Sequence, residues 1–381
     1  MSSLDTYLKH MADKNASDLY FTTGAPPSMK VEGETHPISK KRLEPGTVKA
    51  IAYEIMDERQ QRDFEERLEM NLGLTVEGVG RYRVNIYRQR GEVAMVIRYI
   101  KANIPDIKTL NLPGVLGALI GEKKGLILVV GSTGSGKSTT LASMLDHRNS
   151  VKTGHILTIE DPIEYVFEHK RSILGQREVG LDTLSYENAL REAMREAPDV
   201  IMIGEVRDRR TMEAAIAYAD TGHLCLSTLH AVNAYQALDR IINMFPPDAK
   251  NQILMDLSLN LRGIISQRLV PGKKGLRVPA VEIMLGGGYI SELIREGEIH
   301  KIKDAMARGS KEGMQTFDQS LFELFKTNKV ELNTALDFAD SRSDLEWKIN
   351  FGGGVGDINR SHTSEQIAAP GADFEELTFN K

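Results

Sequence analysis

The chain has 381 residues, 41% hydrophobic and 27% charged, enough for more than one core and for two or three domains. Acids outnumber bases by 53 to 48, a balance that argues against a dominant nucleic-acid footprint. A single cysteine, Cys225, excludes an intramolecular disulfide and a cysteine zinc cluster. No apolar run has signal-peptide length or approaches the ~20 residues that span a bilayer. The reading is a cytoplasmic protein with no nucleic-acid partner, meeting a membrane only through another protein.

In chain order, residues 1–100 mix short strands and helices. Leu19-Tyr20-Phe21 and residues 27–31 are strand-like runs broken by Gly24 and Gly33. Residues 47–68 have helical spacing, with Val48, Ile51, Ala52 and Ile55 on one stripe. Residues 81–85 and 93–100 alternate polar and apolar, as half-buried strands do, with Gly91 turning between them. A small α+β domain fits. Residues 101–115, with Pro105 and Pro113, read as a linker.

From residue 116 to about 345 the pattern changes. Apolar runs at 126–130, 156–160, 200–203, 224–229 and 278–283 alternate with helical segments, as parallel strands of an α/β sheet do. Residues 184–197 predict a helix that Pro198 ends. After Gly286 the chain turns mostly helical. Residues 346–381, with Gly352-Gly353-Gly354 and few large apolar side chains, read as a disordered tail.

The chemistry begins at Gly131-Ser132-Thr133-Gly134-Ser135-Gly136-Lys137-Ser138, which fits G-x-x-x-x-G-K-[ST] at every fixed position. An apolar strand precedes it, and a helix can start at Thr139. The glycines let consecutive backbone N–H groups face a β-phosphate at a helix N-terminus. Lys137 would neutralise the β- and γ-phosphates of ATP, and Ser138 would hold Mg2+.

Two strands downstream end in acids. Glu205 closes Val200-Ile201-Met202-Ile203-Gly204-Glu205, where it can reach the Mg2+ shell or the attacking water. Glu160, in Thr158-Ile159-Glu160-Asp161-Pro162-Ile163-Glu164, could act as general base, with Asp161 and Glu164 in support. A lone acid after a strand is usually a cap or a solvated loop. Two such edges behind one phosphate loop favour function for Glu160 and Glu205.

His223 and His230 stand at opposite ends of the run 224–229. No other ligand is near enough in sequence for a metal, so a γ-phosphate sensor competes with a pair of core or capping histidines. Cys225 reads as a small core residue. Arg81, Arg83, Arg88, Arg90 and Arg98 crowd two adjacent strands. Alone that is a solvated basic face. Beside a phosphate loop it is a candidate source of arginine fingers delivered to a neighbouring subunit, worth ~10³-fold or more in rate.

Taken together and in this order, the phosphate loop, Ile-Glu-Asp-Pro-Ile-Glu, Ile-Gly-Glu and Thr-Gly-His…Thr-Leu-His resemble the secretion-type hexameric ATPases over residues 1–345. Within them the chain looks like the PilT/PilU family of type IV pilus retraction ATPases. The resemblance implies a PAS-like domain followed by a RecA-like ATPase domain in a homohexamer, with ATP bound between subunits. It implies nucleotide contacts at Lys137, Ser138 and Thr139, hydrolysis by Glu160 and Glu205, and a histidine box at His223 and His230. It also implies that Arg83 and Arg98 reach across the subunit boundary. The implied partner is the inner-membrane platform protein at the pilus base.

Two features choose the branch. Assembly and type II secretion ATPases usually carry a four-cysteine zinc module that this chain cannot make. Retraction enzymes typically show Ala-Ile-Arg-Asn-Leu-Ile-Arg-Glu late in the chain, where this one reads Tyr289-Ile290-Ser291-Glu292-Leu293-Ile294-Arg295-Glu296. That departure and the extended tail look more like the PilU branch, whose members assist a PilT-like ATPase. The rivals are an assembly or secretion motor, a RecA-like DNA motor, and a regulatory scaffold docked on a PilT-like ring.

Overall fold

The computed structural model describes residues 3–31, 33–100, 103–273 and 275–351. Two sheets organise them. The first is antiparallel, in the order β3-β2-β1-β6-β5-β4, with β1 Asp18–Phe21, β2 Ser28–Val31, β3 Glu34–Pro37, β4 Glu69–Val76, β5 Gly80–Gln89 and β6 Glu92–Ile100. Its core includes the stripe Leu4, Leu8 and Met11 of the helix Ser3–Asp13, together with Phe64, Tyr82 and Ile97. The spacing of that stripe is one helix face.

Tyr82 is fully buried and donates its phenol hydrogen to the Leu8 carbonyl over 2.8 Å. Tyr82→Phe is therefore expected to cost about 1 kcal/mol of stability, read as a lower urea midpoint at unchanged slope. An unchanged midpoint would mean the bond contributes nothing.

The single helix expected over 47–68 is two, Thr47–Glu54 and Glu58–Arg67. Asp57 starts the second with a reciprocal cap: its carboxylate accepts from Gln60 N–H and its own N–H donates to the Gln60 side chain. That D-x-x-Q signature was available in the sequence. β4 went unpredicted because it is an edge strand with half of its residues exposed and a single one, Leu72, buried.

The second sheet runs β13-β12-β7-β11-β10-β8-β9. Its strands are β7 Gly125–Val130, β8 Gly154–Glu160, β9 Ser172–Glu178, β10 Val200–Ile203, β11 Leu224–Leu229, β12 Leu261–Pro271 and β13 Arg277–Leu285. All pair in parallel except β13, which returns antiparallel to β12, so the run at 278–283 is not the parallel strand its composition suggested. Every side chain of β7 is buried. Leu126, Leu128 and Val130 face one core with the helices Arg209–Asp220 and Ala234–Asn243, while Ile127 and Val129 face another with the helix Lys137–Val151. Cys225 is buried, as expected of a core residue.

Register pairs Val130 with Leu229, Ser227 with Ile203, and Ile203 with Ile159. The carboxyl ends of β7, β11, β10 and β8 therefore open onto one edge, the place where open α/β sheets bind ligands.

The stretch read as a linker packs against this second body, with Ile107 and Leu112 buried in its core. The helix Arg342–Phe351 carries regular structure through residues 346–351, which the sequence reading gave to the tail. Leu345 anchors that helix to Phe317 and Leu321. The remainder of the expected tail, 352–381, lies outside the described residues.

Candidate active site

Gly131 follows β7 directly, and the helix Lys137–Val151 begins inside the motif. Gly134 and Gly136 have φ of 76° and 92°, the left-handed region that a side chain resists, so these two positions need glycine. Lys137 is 9% exposed, and its Nζ donates to the carbonyls of Gly131 at 2.9 Å and Ser132 at 3.1 Å. Burial lowers the Lys137 pKa, and the charge of Glu205 works against that shift.

A cavity of about 740 Å³ opens beside the loop. Thr133, Gly134, Gly136, Lys137, Ser138 and Thr139 line one side, with Glu160, Glu205 and His230 beyond them. Asp18, Arg98 and Tyr99, from the first sheet, also line the cavity. Ser135 turns its hydroxyl into the protein, where it is buried without a hydrogen-bond partner. Thr139 Oγ1 lies 2.9 Å from the Tyr165 hydroxyl.

The two acids occupy different environments. Glu160, at the end of β8, is 6% exposed, and burial pushes its carboxyl up to about 7. Its oxygens accept from Thr158 Oγ1 at 2.7 Å and Glu164 N–H at 3.3 Å, which oppose that rise. Glu205 instead faces an imidazole and a guanidinium. His230 Nε2 is 2.9 Å from its Oε1, and Arg207 Nε is 2.8 Å from its Oε2. Arg207 also spans to Asp161 at 3.4 Å. Burial thus tunes the Glu160 carboxyl to exchange a proton near neutrality.

Ser138, Glu205, Asp161 and Glu164 offer only oxygen donors to the cavity. That set suits a hard cation such as Mg2+, which takes few protein ligands and completes its shell with phosphate and water.

His223 is not brought to this site. Leu224 pairs with Gly125, so His223 lies at the amino end of β11, six residues from the loop's edge. Its Nδ1 is 3.1 Å from Thr221 Oγ1 and 3.2 Å from the Tyr218 carbonyl, the contacts of a capping histidine. Arg83 does not line the cavity either, and its Nε is 3.9 Å from Oε1 of the buried Glu178. Arg98 faces the cavity of its own chain, because Asp18 pins its Nε at 2.8 Å.

Sequence reasoning passed over Arg207, Tyr186 and Thr158. Arg207 and Thr158 are each two residues from a predicted acid, a spacing that can serve one site. Tyr186 reaches the cavity from a separate helix and has no such cue.

This fold and loop define a nucleotide-driven ATPase, and comparison with known proteins agrees. Residues 1–314 match the family described as type II/IV secretion system protein, and the chain belongs to that family. It is 50% identical to the type IV pilus ATPase PilU of Pseudomonas aeruginosa over 346 residues, 91% of each chain. It is 43% identical to the type IV pilus retraction ATPase PilT of the same organism, over 82% of this chain and 91% of that one. The crystal structure of the pilus retraction motor PilT with bound ADP superposes with a TM-score of 0.83 at 43% identity, covering 91% of this chain and 99% of that chain. The Legionella pneumophila ATPase DotB gives a TM-score of 0.71 at 26% identity, over 87% and 94% of the two chains. Within the family the chain is an ATP-hydrolysing pilus retraction ATPase of the PilU type. Among the described residues, no helix is long and apolar enough to cross a membrane.

Proposed function

We propose that the chain works as a homohexameric motor at the cytoplasmic base of a type IV pilus. There it assists a PilT-like ATPase in driving the inner-membrane platform protein so that pilin subunits are withdrawn. The observation that carries this reading is the convergence of Lys137, Glu160 and Glu205 on one cavity that residues of the first sheet also line.

Water attacks the γ-phosphorus in line. Glu160 takes the proton of that water, the bond to the β,γ-bridging oxygen breaks, and ADP and phosphate are released. Lys137 and the loop N–H groups take up charge on the β- and γ-oxygens. Glu205, fixed by Arg207 and His230, orients the water and, with Ser138, would hold the metal. Mg2+, when held there by Ser138 and Glu205, would supply positive charge against the charge that develops on the phosphate oxygens. Arg83 supplies positive charge to the neighbouring subunit's γ-phosphate, while Arg98 acts from the wall of its own cavity.

Live imaging of pili in cells whose only copy carries Lys137→Ala tests the motor. Pili that extend normally but retract weakly, and so accumulate, are expected. Bald cells would mean an assembly motor. Normal dynamics, even against load, would mean a scaffold that needs no turnover.

A further inference from the structure

The phosphate loop rests on a residue that lies outside its motif. Gln267 stands on β12, one position beyond the pair Ser266–Val130, and is 4% exposed. Its Oε1 accepts a hydrogen bond of 2.6 Å from Thr140, a buried hydroxyl on the first turn of the loop's helix. Its Nε2 lies 2.8 Å from where a Cβ on Gly136 would stand. Its backbone oxygen lies 2.6 Å from the equivalent point on Gly131. The first and last glycines of the motif thus both close against this one residue.

The strand beneath is itself anchored. Ser266 donates its hydroxyl over 2.8 Å to Glu282 Oε1, a buried oxygen that also accepts from the Ala234 N–H at 2.8 Å. Ala234 opens the helix that follows His230. β12 therefore ties the loop to the histidine segment.

We propose that Gln267 is a positioning residue for the ATP phosphates, setting the curl of residues 131–136 and the height of the helix N-terminus through Thr140. The inference rests on this loop being the ATP site. A buried amide that loses its partner, or a loop that drifts by a fraction of an ångström, weakens every N–H aimed at the phosphates together.

The test is titration of full-length protein with a fluorescent ATP analogue, alongside steady-state kinetics and thermal melting. Gln267→Met keeps the volume and removes both polar side-chain atoms. It is expected to weaken nucleotide binding and raise KM about tenfold, as the loss of about 1.4 kcal/mol does, with kcat changed less than about threefold. Thr140→Val should produce the same split, and the double variant should be no worse than Gln267→Met alone. If both single variants melt lower yet bind ATP within about twofold of the unsubstituted chain, the residue is merely structural and the proposal falls. If the two effects add fully, Gln267 does not act through Thr140. An unsubstituted chain that fails to bind the analogue would overturn the assignment of the loop itself, a separate failure.

Discussion

Glu160→Gln is expected to lower kcat by about 10²- to 10⁴-fold while ATP binding stays within about twofold. Glutamine keeps the shape and can still accept from Thr158 Oγ1, but it cannot take a proton from water. The unsubstituted enzyme should show an acid limb in kcat/KM with a midpoint near the value of about 7 that burial gives Glu160. Activity falls below that pH because the base is then protonated. The sign for stability is opposite. A folded-state value raised above the ordinary carboxylate range stabilises fully below the unfolded value and loses that contribution as pH rises through about 7. Glu160→Gln should therefore gain melting temperature relative to the parent at pH 8 more than at pH 5. A variant retaining a tenth or more of parental turnover would transfer the base role elsewhere, with Glu205 the next candidate.

Arg83→Ala should cost ~10³-fold in turnover of the assembled ring, the scale of an arginine finger. Within one chain Arg83 lies against Glu178, whose Oε1 is buried and, among the described residues, otherwise without a hydrogen-bond partner. That carboxylate holds Arg83 beside the second sheet without placing it on the loop. Co-expression separates a role in the neighbour from one in the same chain. Arg83→Ala and Lys137→Ala subunits are each expected to be inactive alone. Mixed rings regain turnover at interfaces where an intact loop meets an intact arginine. No recovery on mixing would put Arg83's action in its own chain, and a loss below about fivefold would leave it as a tie between the two sheets.

The features legible in sequence were those written in local pattern. Five apolar runs became strands, and Lys137, Glu160 and Glu205 line one cavity because each stands at or just beyond the carboxyl end of a strand. β12 was illegible because Arg262, Gln267 and Arg268 interrupt its apolar run, although the strand completes the loop's floor. Gln267 lies 127 residues from Thr140, a pairing that only folding reveals. His223 misled for the reverse reason: the motif groups it with His230, whereas the length of β11 separates them. Arg98 was legible as a residue but not in its direction, which Asp18 sets from the far end of the first domain's sequence.

The cavity's two walls come from different sheets, Lys137 and Glu205 from one, Asp18 and Arg98 from the other. Nucleotide affinity is therefore a function of the gap between them. By reciprocity, any free energy with which ATP draws the two sheets together is the free energy by which a pull that separates them weakens ATP. In the proposed motor, tension on the pilus passed back as such a pull would act first on fuel binding and only later on bond breaking. For the proposed motor the expected result is a stalled ring that empties rather than idling with ATP in place, with a stall force that rises with ATP concentration.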